Sequence, residues 1–139
     1  MRYYEFTITG ARYSLCVKKK AFERFLDSIS VPDDSKPPHF VTPGKNATTH
    51  FIETNTGLHV VICVGQLNDS TDIEIIGLLA HECVHVWQEI KKWMGEEMPG
   101  DEVEAYSIQS IFVNMLHEYR RKTNNGPKTS TANHPLPTL

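Results

Sequence analysis

The chain has 139 residues, of which 40% are hydrophobic and 22% are charged, and its formal net charge at pH 7 is −3. This length suits one domain with a hydrophobic core, and the small negative charge gives no sign of nucleic acid or an anionic membrane as a partner. No run approaches the roughly 20 apolar residues of a membrane helix, and the amino terminus lacks a signal-peptide core, so we expect a cytoplasmic protein.

The amino-terminal segment predicts a β-hairpin followed by a surface helix. Residues Arg2–Thr9 and Arg12–Val17 are rich in aromatic and β-branched residues, and Gly10 and Ala11 between them can form a tight turn. From Lys18 to Ile29 the apolar residues fall at helical spacing and leave the charged residues to solvent. We expect this helix to pack on the sheet.

A proline-rich loop and a second hairpin follow. The segment from Val31 to Lys45 contains four of the eight prolines, so it can form neither a regular helix nor a central strand. Thr48–Thr54 and Leu58–Val64 predict two antiparallel strands, joined by a three-residue loop that ends at Gly57. The second strand is almost wholly apolar, which indicates burial on at least one face.

The segment from Ile73 to Met94 predicts the central helix of the domain. Asp69, Ser70 and Thr71 are candidate caps for its amino terminus, and Gly95 fits its carboxyl end. Apolar residues surround the helix axis before His81. This pattern is typical of a core helix, so we expect His81 and Glu82 to be carried into the interior.

A last helix is predicted from Asp101, as its cap, to about Arg121. Its apolar residues fall on one side of the helix and are Ala105, Ile108, Phe112, Met115 and Tyr119. The residues after Lys122 are mostly polar and have no periodicity. We therefore expect one domain, residues 1–122, followed by a flexible tail, residues 123–139.

Three cysteines, Cys16, Cys63 and Cys83, lie in apolar contexts without CxxC spacing. An odd number of cysteines in such contexts predicts buried free thiols instead of disulfides or a thiolate metal site.

The sequence His81-Glu82-Cys83-Val84-His85 places two imidazoles one helical turn apart on one face. Zinc accepts neutral imidazole nitrogens at about 2 Å and prefers a near-tetrahedral set, so a third protein ligand leaves one position for water. The metal lowers the pKa of that water, and a neighbouring carboxylate can accept its proton as it attacks a carbonyl. Glu82 has the type and position for this base. Two histidines at this spacing also occur as ordinary surface residues, but unpaired polar groups in an apolar helix are costly.

The stretch GLLAHECVHVWQ resembles the active-site helix of the zincin metallopeptidases, and the chain resembles very small gluzincin-like proteins of bacteria and their phages. In gluzincins the third zinc ligand is a glutamate near the start of the following helix, in an ExxA pattern. Glu102 to Ala105 match this pattern, 17 residues beyond His85, and Tyr106 and Gln109 extend it. The resemblance implies an α+β zincin-like domain, in which a small antiparallel or mixed sheet packs on the HExxH helix and on a Glu-bearing helix.

The resemblance also bears on individual site residues. Helical spacing alone does not choose between Glu102 and Glu104 as the third ligand, whereas the family pattern favours Glu102. Tyr106, one turn later, is a candidate catalytic donor to the developing oxyanion, or else a packed ring with its hydroxyl at the surface. By the same resemblance, strand Leu58–Val64 lies at the edge of the cleft and pairs with an extended peptide.

These observations predict a zinc-dependent peptidase that hydrolyses a peptide or protein substrate through a metal-bound water activated by Glu82. Zinc is expected to be held by His81, His85 and Glu102. Two alternatives remain open. The same fold can serve as a metal-stabilised, non-catalytic binding or assembly module, in which a fourth protein ligand closes the zinc site. The same chemistry can also hydrolyse a non-peptide amide.

Overall fold

A computed structural model of the chain describes residues 1–6, 9–95 and 100–123. Within these ranges the elements are, in chain order, β1 (Tyr3–Phe6), β2 (Ala11–Cys16), α1 (Lys19–Ser28), β3 (Ala47–Thr54), β4 (Gly57–Val64), α2 (Asp72–Met94) and α3 (Asp101–Thr123). A single 3-10 turn, Asp33–Ser35, interrupts the proline-rich loop. The tail expected from residue 123 lies outside the described residues, except that Thr123 ends α3.

The four strands form one mixed sheet in the order β1-β2-β4-β3. The pairs β1/β2 and β3/β4 are antiparallel, which confirms both predicted hairpins. Strands β2 and β4 are parallel, and the chain between them passes through α1 and β3. The predicted α+β class is therefore confirmed, and the sheet is of the mixed type.

Two details of the β3–β4 hairpin differ from the sequence prediction. Thr54 pairs with Gly57, so the loop contains two residues, Asn55 and Thr56, and Gly57 is the first residue of β4 with φ 119°. The prediction that the strand Leu58–Val64 lies at the cleft edge is wrong, because β4 is hydrogen-bonded to β2 on one side and to β3 on the other. Within the described residues, β3 is the edge strand on that side of the sheet.

Both faces of the sheet are covered by helices. On one face, inward residues such as Leu15, Val60 and Ile62 form the larger core with α2 and α3. On the other face, Val61 and its neighbours pack against α1, whose buried residues include Phe22. Strand β4 is buried along almost its whole length, which explains its nearly continuous apolar sequence.

The three cysteines are free and buried, as predicted. Burial raises the pKa of Cys83 to about 12 and also raises the pKa of Cys16 and of Cys63. Thiols with raised pKa values are protonated and unreactive at neutral pH. The cysteines therefore belong to the core.

Helix α2 begins and ends with the predicted signals. Thr71 is the N-cap: its hydroxyl accepts a hydrogen bond from the Glu74 amide, and the Glu74 side chain accepts one from the Thr71 amide. This reciprocal pair is a capping box. Gly95 closes the helix in the left-handed conformation, with φ 72°. These caps satisfy backbone groups that the helix itself leaves without partners.

The expectation that α2 is buried all round is wrong. Its buried residues recur at intervals of three or four positions, from Ile75 to Ile90, and therefore occupy one face. Ile73 is 81% exposed, and Val84 and His81 are also exposed, whereas Glu82 is buried. The sheet and α3 cover only part of the helix surface, so His81 lies at the surface and only Glu82 reaches the interior.

Helix α3 packs against α2 and the sheet through Ile111, Met115 and Tyr119. The predicted apolar side of this helix included Ala105, which is exposed, and omitted Ile111, which is fully buried. Ala105 lies beside the stripe of buried residues and not within it. No helix in the described ranges is long and apolar enough to cross a membrane.

A buried carboxylate joins α3 to β1. Glu118 is fully buried and accepts hydrogen bonds from Tyr4 Oη at 2.9 Å, Arg121 Nη2 at 2.7 Å and Arg2 Nη1 at 3.4 Å. Burial acts to raise the pKa of Glu118, but the hydrogen bonds from Arg121 and Tyr4 outweigh it and hold the pKa below its usual range. The ionised carboxylate is thus the form that the fold stabilises.

We expect Glu118→Gln to lower the free energy of unfolding at pH 7 by about 2–3 kcal/mol, because the amide leaves two arginines without their anion. Urea denaturation measures this change. The exposed pair Lys19–Glu23 provides the control, since Glu23→Gln should cost less than about 0.5 kcal/mol. Equal urea midpoints for Glu118→Gln and the wild type would contradict the role assigned to this carboxylate.

The same group predicts a pH dependence. The pKa of Glu118 is lower in the folded state than in the unfolded state, so its contribution is present above the unfolded pKa of about 4.3 and is lost as the pH falls through the folded value. Urea denaturation between pH 3 and pH 7 should therefore show a smaller loss of stability in Glu118→Gln than in the wild type. An identical pH profile for the two proteins would show that Glu118 does not contribute to the pH dependence of stability.

Candidate metal centre

The two histidines of the motif converge on one point at the surface of α2. His81 Nε2 and His85 Nε2 are 3.1 Å apart, and the two rings meet edge to face with their centroids 4.7 Å apart. Because the residues are separated by one helical turn, their side chains lie on the same face. The structure therefore brings together the two histidines that the sequence predicted.

Gln88 contacts the side of the His85 ring that faces away from His81. His85 Nδ1 lies 3.0 Å from Gln88 Oε1. In the tautomer that donates Nδ1–H to this oxygen, Nε2 keeps a lone pair directed toward His81. Metal-ligating histidines commonly have this arrangement, in which the second nitrogen donates to a partner that orients the ring.

The spacing of the nitrogens agrees with shared coordination of zinc. Two nitrogens at about 2.0–2.1 Å from one zinc ion, at a tetrahedral angle, are about 3.3 Å apart. The 3.1 Å observed between His81 Nε2 and His85 Nε2 is close to that value. This pair can therefore hold two of the four coordination positions of a zinc ion.

Glu82 lies beside the histidines but points toward the sheet. Its side chain is buried, and Oε2 accepts a hydrogen bond from Thr49 Oγ1 of the edge strand β3. The contact joins residues that are 33 positions apart in the sequence. Thr49 thus orients the carboxylate between α2 and β3, one residue away from His81.

The two glutamates at the start of α3 differ in their contacts. Glu104 Oε2 accepts a hydrogen bond from Trp87 Nε1 at 2.9 Å and lies 3.9 Å from Lys91 Nζ. This carboxylate therefore joins α3 to α2. Glu102 is exposed. Residues two positions apart on an α-helix are about 200° apart around its axis, so the Glu102 side chain projects from the side of α3 opposite to Glu104.

No group of three or more His, Cys, Asp or Glu residues within residues 1–6, 9–95 and 100–123 is arranged to hold a metal ion. The structure brings His81 and His85 together and places Glu82 beside them, but Glu102 does not join them in such a group. Tyr106 lies on α3, is 40% exposed and makes no hydrogen bond with another described residue. Its hydroxyl is therefore at the surface, as one of the two interpretations of Tyr106 predicted.

Two residues of this site were not found in the sequence. Gln88 follows His85 by three positions, so helical spacing could have indicated it as a partner of the imidazole. Thr49 gave no such signal, because its contact with Glu82 depends on how α2 packs against β3. Trp87 is buried, and its indole N–H donates the hydrogen bond to Glu104.

We expect matched substitutions to separate the two glutamates. Glu104→Met should lower the free energy of unfolding by about 1–3 kcal/mol, because the buried Trp87 N–H loses its acceptor, and should leave zinc affinity unchanged. Glu102→Met should leave the stability of the metal-free protein unchanged and weaken zinc binding at least tenfold if this residue is the third ligand. Urea denaturation and competitive titration against a zinc-sensitive dye measure the two effects. Unchanged zinc affinity in Glu102→Met removes Glu102 from the ligand set.

In comparisons with known proteins, no family model, no curated protein and no solved structure matches the chain. The interpretation of the site therefore depends on its side-chain geometry and on the resemblance of its short motifs.

Proposed function

We propose that the protein is a zinc-dependent peptidase whose metal is held by His81 and His85 and whose general base is Glu82. The observation that carries the proposal is the pair of imidazole Nε2 atoms 3.1 Å apart, with Gln88 Oε1 in contact with Nδ1 on the far side of the His85 ring. Such a pair is suited to a metal, because each ring has one nitrogen available for coordination.

A zinc ion in this position supplies Lewis-acid activation of water and of the scissile carbonyl. Glu82 accepts the proton of the attacking water and later delivers it to the leaving amine. Its burial supports this role, because a carboxylate removed from bulk solvent interacts more strongly with nearby charges. Thr49 keeps the carboxylate oriented, since its hydroxyl occupies one oxygen and leaves the other for the proton.

We place the peptide substrate along β3. This strand is the sheet edge beside α2, and within the described residues no further strand pairs with it. An extended peptide can add to such an edge through main-chain hydrogen bonds. Thr49 is part of the same strand and contacts Glu82, so a peptide bound there lies near the proposed base. This assignment replaces β4, both of whose edges are occupied.

Glu102 completes the protein ligands in this proposal. Its side chain is exposed and makes no hydrogen bond or ion pair with another described residue, so turning it toward the metal breaks no existing contact of that kind. Glu104 is less suited, because it would have to give up its bonds to Trp87 and Lys91. The proposal therefore requires a different position for the first turn of α3 in the metal-bound protein.

We expect Glu82→Gln to abolish peptide hydrolysis while leaving zinc binding intact. The amide retains the size of the carboxylate and can still accept a hydrogen bond from Thr49, but it cannot take a proton from water. Cleavage of a diverse peptide library, followed by mass spectrometry, measures turnover, and elemental analysis measures bound zinc. A loss of at least a hundredfold in rate is expected from the removal of a general base.

Glu89→Gln is the matched control, because Glu89 lies on the same helix and its carboxylate is paired with Lys92. This variant should cleave at the wild-type rate. Undiminished cleavage by Glu82→Gln would contradict the mechanism, and zinc binding that survives replacement of both His81 and His85 by alanine would contradict the site.

One observation favours a second candidate function, a non-catalytic binding or assembly module. Within the described residues, no third His, Cys, Asp or Glu joins His81 and His85 in a group that could hold a metal ion, so the set is short of the three protein ligands of a catalytic zinc centre. For such a module, no peptide should be cleaved by the zinc-loaded protein. Cleavage by the holo form that stops on chelation supports the peptidase instead.

A further inference from the structure

A cavity of about 560 Å³ lies on the face of the sheet opposite α2. Its walls come from α1, from β2 and β4, and from Lys122 near the end of α3. Cavities of roughly 300–1,000 Å³ hold small molecules in proteins. Neither His81 nor His85 lines the cavity, and the sheet separates the cavity from α2.

The charged groups that line the cavity are all basic. They are Arg12, Lys18, Arg24 and Lys122, and no aspartate or glutamate is among the lining residues. None of these four forms a salt bridge with another residue in the described ranges. A concave surface with one sign of charge concentrates ligands of the opposite sign.

The carboxylates of α1, and Glu118 near the end of α3, have cationic partners that do not line the cavity. On α1, Glu23 lies 3.9 Å from Lys19, and Asp27 lies 2.5 Å from Lys36. On α3, Glu118 is bound by Arg121. These carboxylates already have cationic partners, so they do not neutralise the cavity.

Arg12 is only partly exposed, and its guanidinium lies over the ring of Tyr3. Its Nε atom is buried and has no hydrogen-bond partner within the described residues, and its guanidinium carbon lies 4.7 Å from the centroid of the Tyr3 ring. A buried donor without an acceptor is uncommon in folded proteins and costs free energy. The ring covers one face of the guanidinium and leaves its edge, with the N–H donors, for another group.

His59 lies next to Arg12, since the two residues are Cα partners in the β2–β4 ladder. Burial and the positive charge of Arg12 lower the pKa of His59, so the imidazole is neutral at pH 7. Its Nε2 already contacts Thr56 Oγ1 at 3.2 Å. Arg12 therefore carries the positive charge at this end of the cavity, and Glu5, its Cα partner in β1, does not line the cavity and forms no salt bridge with it.

Part of the cavity wall is apolar. Phe25 and Ile29 of α1 line the cavity, and both are only partly buried by the core beneath them. A ligand that covers these side chains removes apolar surface from water. The cavity thus combines an unpartnered cation with an apolar wall.

We propose that this cavity binds a small amphipathic anion, whose carboxylate or phosphate accepts hydrogen bonds from Arg12 and whose apolar group packs against Phe25 and Ile29. Arg24 and Lys122 also line the cavity and add positive potential, and Lys122 Nζ donates a hydrogen bond to the Leu15 carbonyl. The site is independent of the proposed peptidase function, because it requires neither zinc nor Glu82.

The test uses octanoate and octyl phosphate as probes, with octanol and inorganic phosphate as matched compounds that lack the charge or the apolar chain. Isothermal titration calorimetry of the full chain should show binding of at least one of the two amphipathic anions. The affinity should fall at least tenfold for octanol and for inorganic phosphate. In Arg12→Gln it should also fall at least tenfold, because the charge-assisted hydrogen bonds are lost.

Arg120→Gln is the matched control, since it removes an arginine of α3 that does not line the cavity, and it should bind the probe as the wild type does. Amide chemical shifts of the wild-type protein give a measurement that does not depend on the folding of Arg12→Gln. On addition of the probe they should change at α1, β2 and β4. Shift changes centred on α2, equal affinity for octanol, or no binding of either anion at millimolar concentration would overturn the proposal.

Discussion

The burial of β4 on both faces and both edges is the constraint on which the rest of the fold depends. This strand pairs with β2 and β3, and its alternate residues enter two separate cores. Each core needs a helical cover, so α1 is placed on one side and α2 with α3 on the other. The orientation of α2 follows, because Leu79, Cys83 and Val86 must face the sheet. The histidines at 81 and 85 are then left at the opposite, open surface.

Within this frame, Glu82 occupies the boundary between the buried and the open face of α2. One helical position separates it from the exposed His81, yet its carboxylate reaches Thr49 on the sheet edge. A carboxylate at such a boundary is partly shielded from water while it stays next to the surface site. The opposite side of the sheet has a different character, because the charged residues that line its cavity are all basic. The two faces of the sheet thus present different side-chain chemistry.

The sequence predicted what depends on neighbours along the chain. The two hairpins, the capping box at Thr71, the glycine stop at Gly95 and the close approach of His81 and His85 all follow from spacings of a few residues. It did not predict what depends on distant pairing. Nothing in β2 or β4 alone indicates that they run parallel side by side, and the edge position of β4 that the zincin resemblance implied is excluded by this pairing.

The same limit applies to the site. Helical spacing could not tell Glu102 from Glu104, because the choice depends on which side of α3 meets Trp87. The exposure of His81 could not be read from the apolar residues around it, since exposure depends on how much of α2 the sheet and α3 cover. The contact between Thr49 and Glu82 could not be predicted from the sequence, because it depends on how α2 packs against β3.

The contacts of α3 have a consequence for how the protein is made. Side chains of this helix bond to Tyr4, Tyr13 and Leu15, across separations of 114, 101 and 107 residues. On the ribosome, β1 and β2 emerge long before these partners exist, and the sheet face beneath α3 stays open until that helix is synthesised. Contacts of such long range also slow folding, because a long loop must close before they form. The apolar residues on that face of the sheet therefore stay exposed until α3 folds onto them, and exposed apolar surface and unpaired strand edges make such intermediates prone to aggregation.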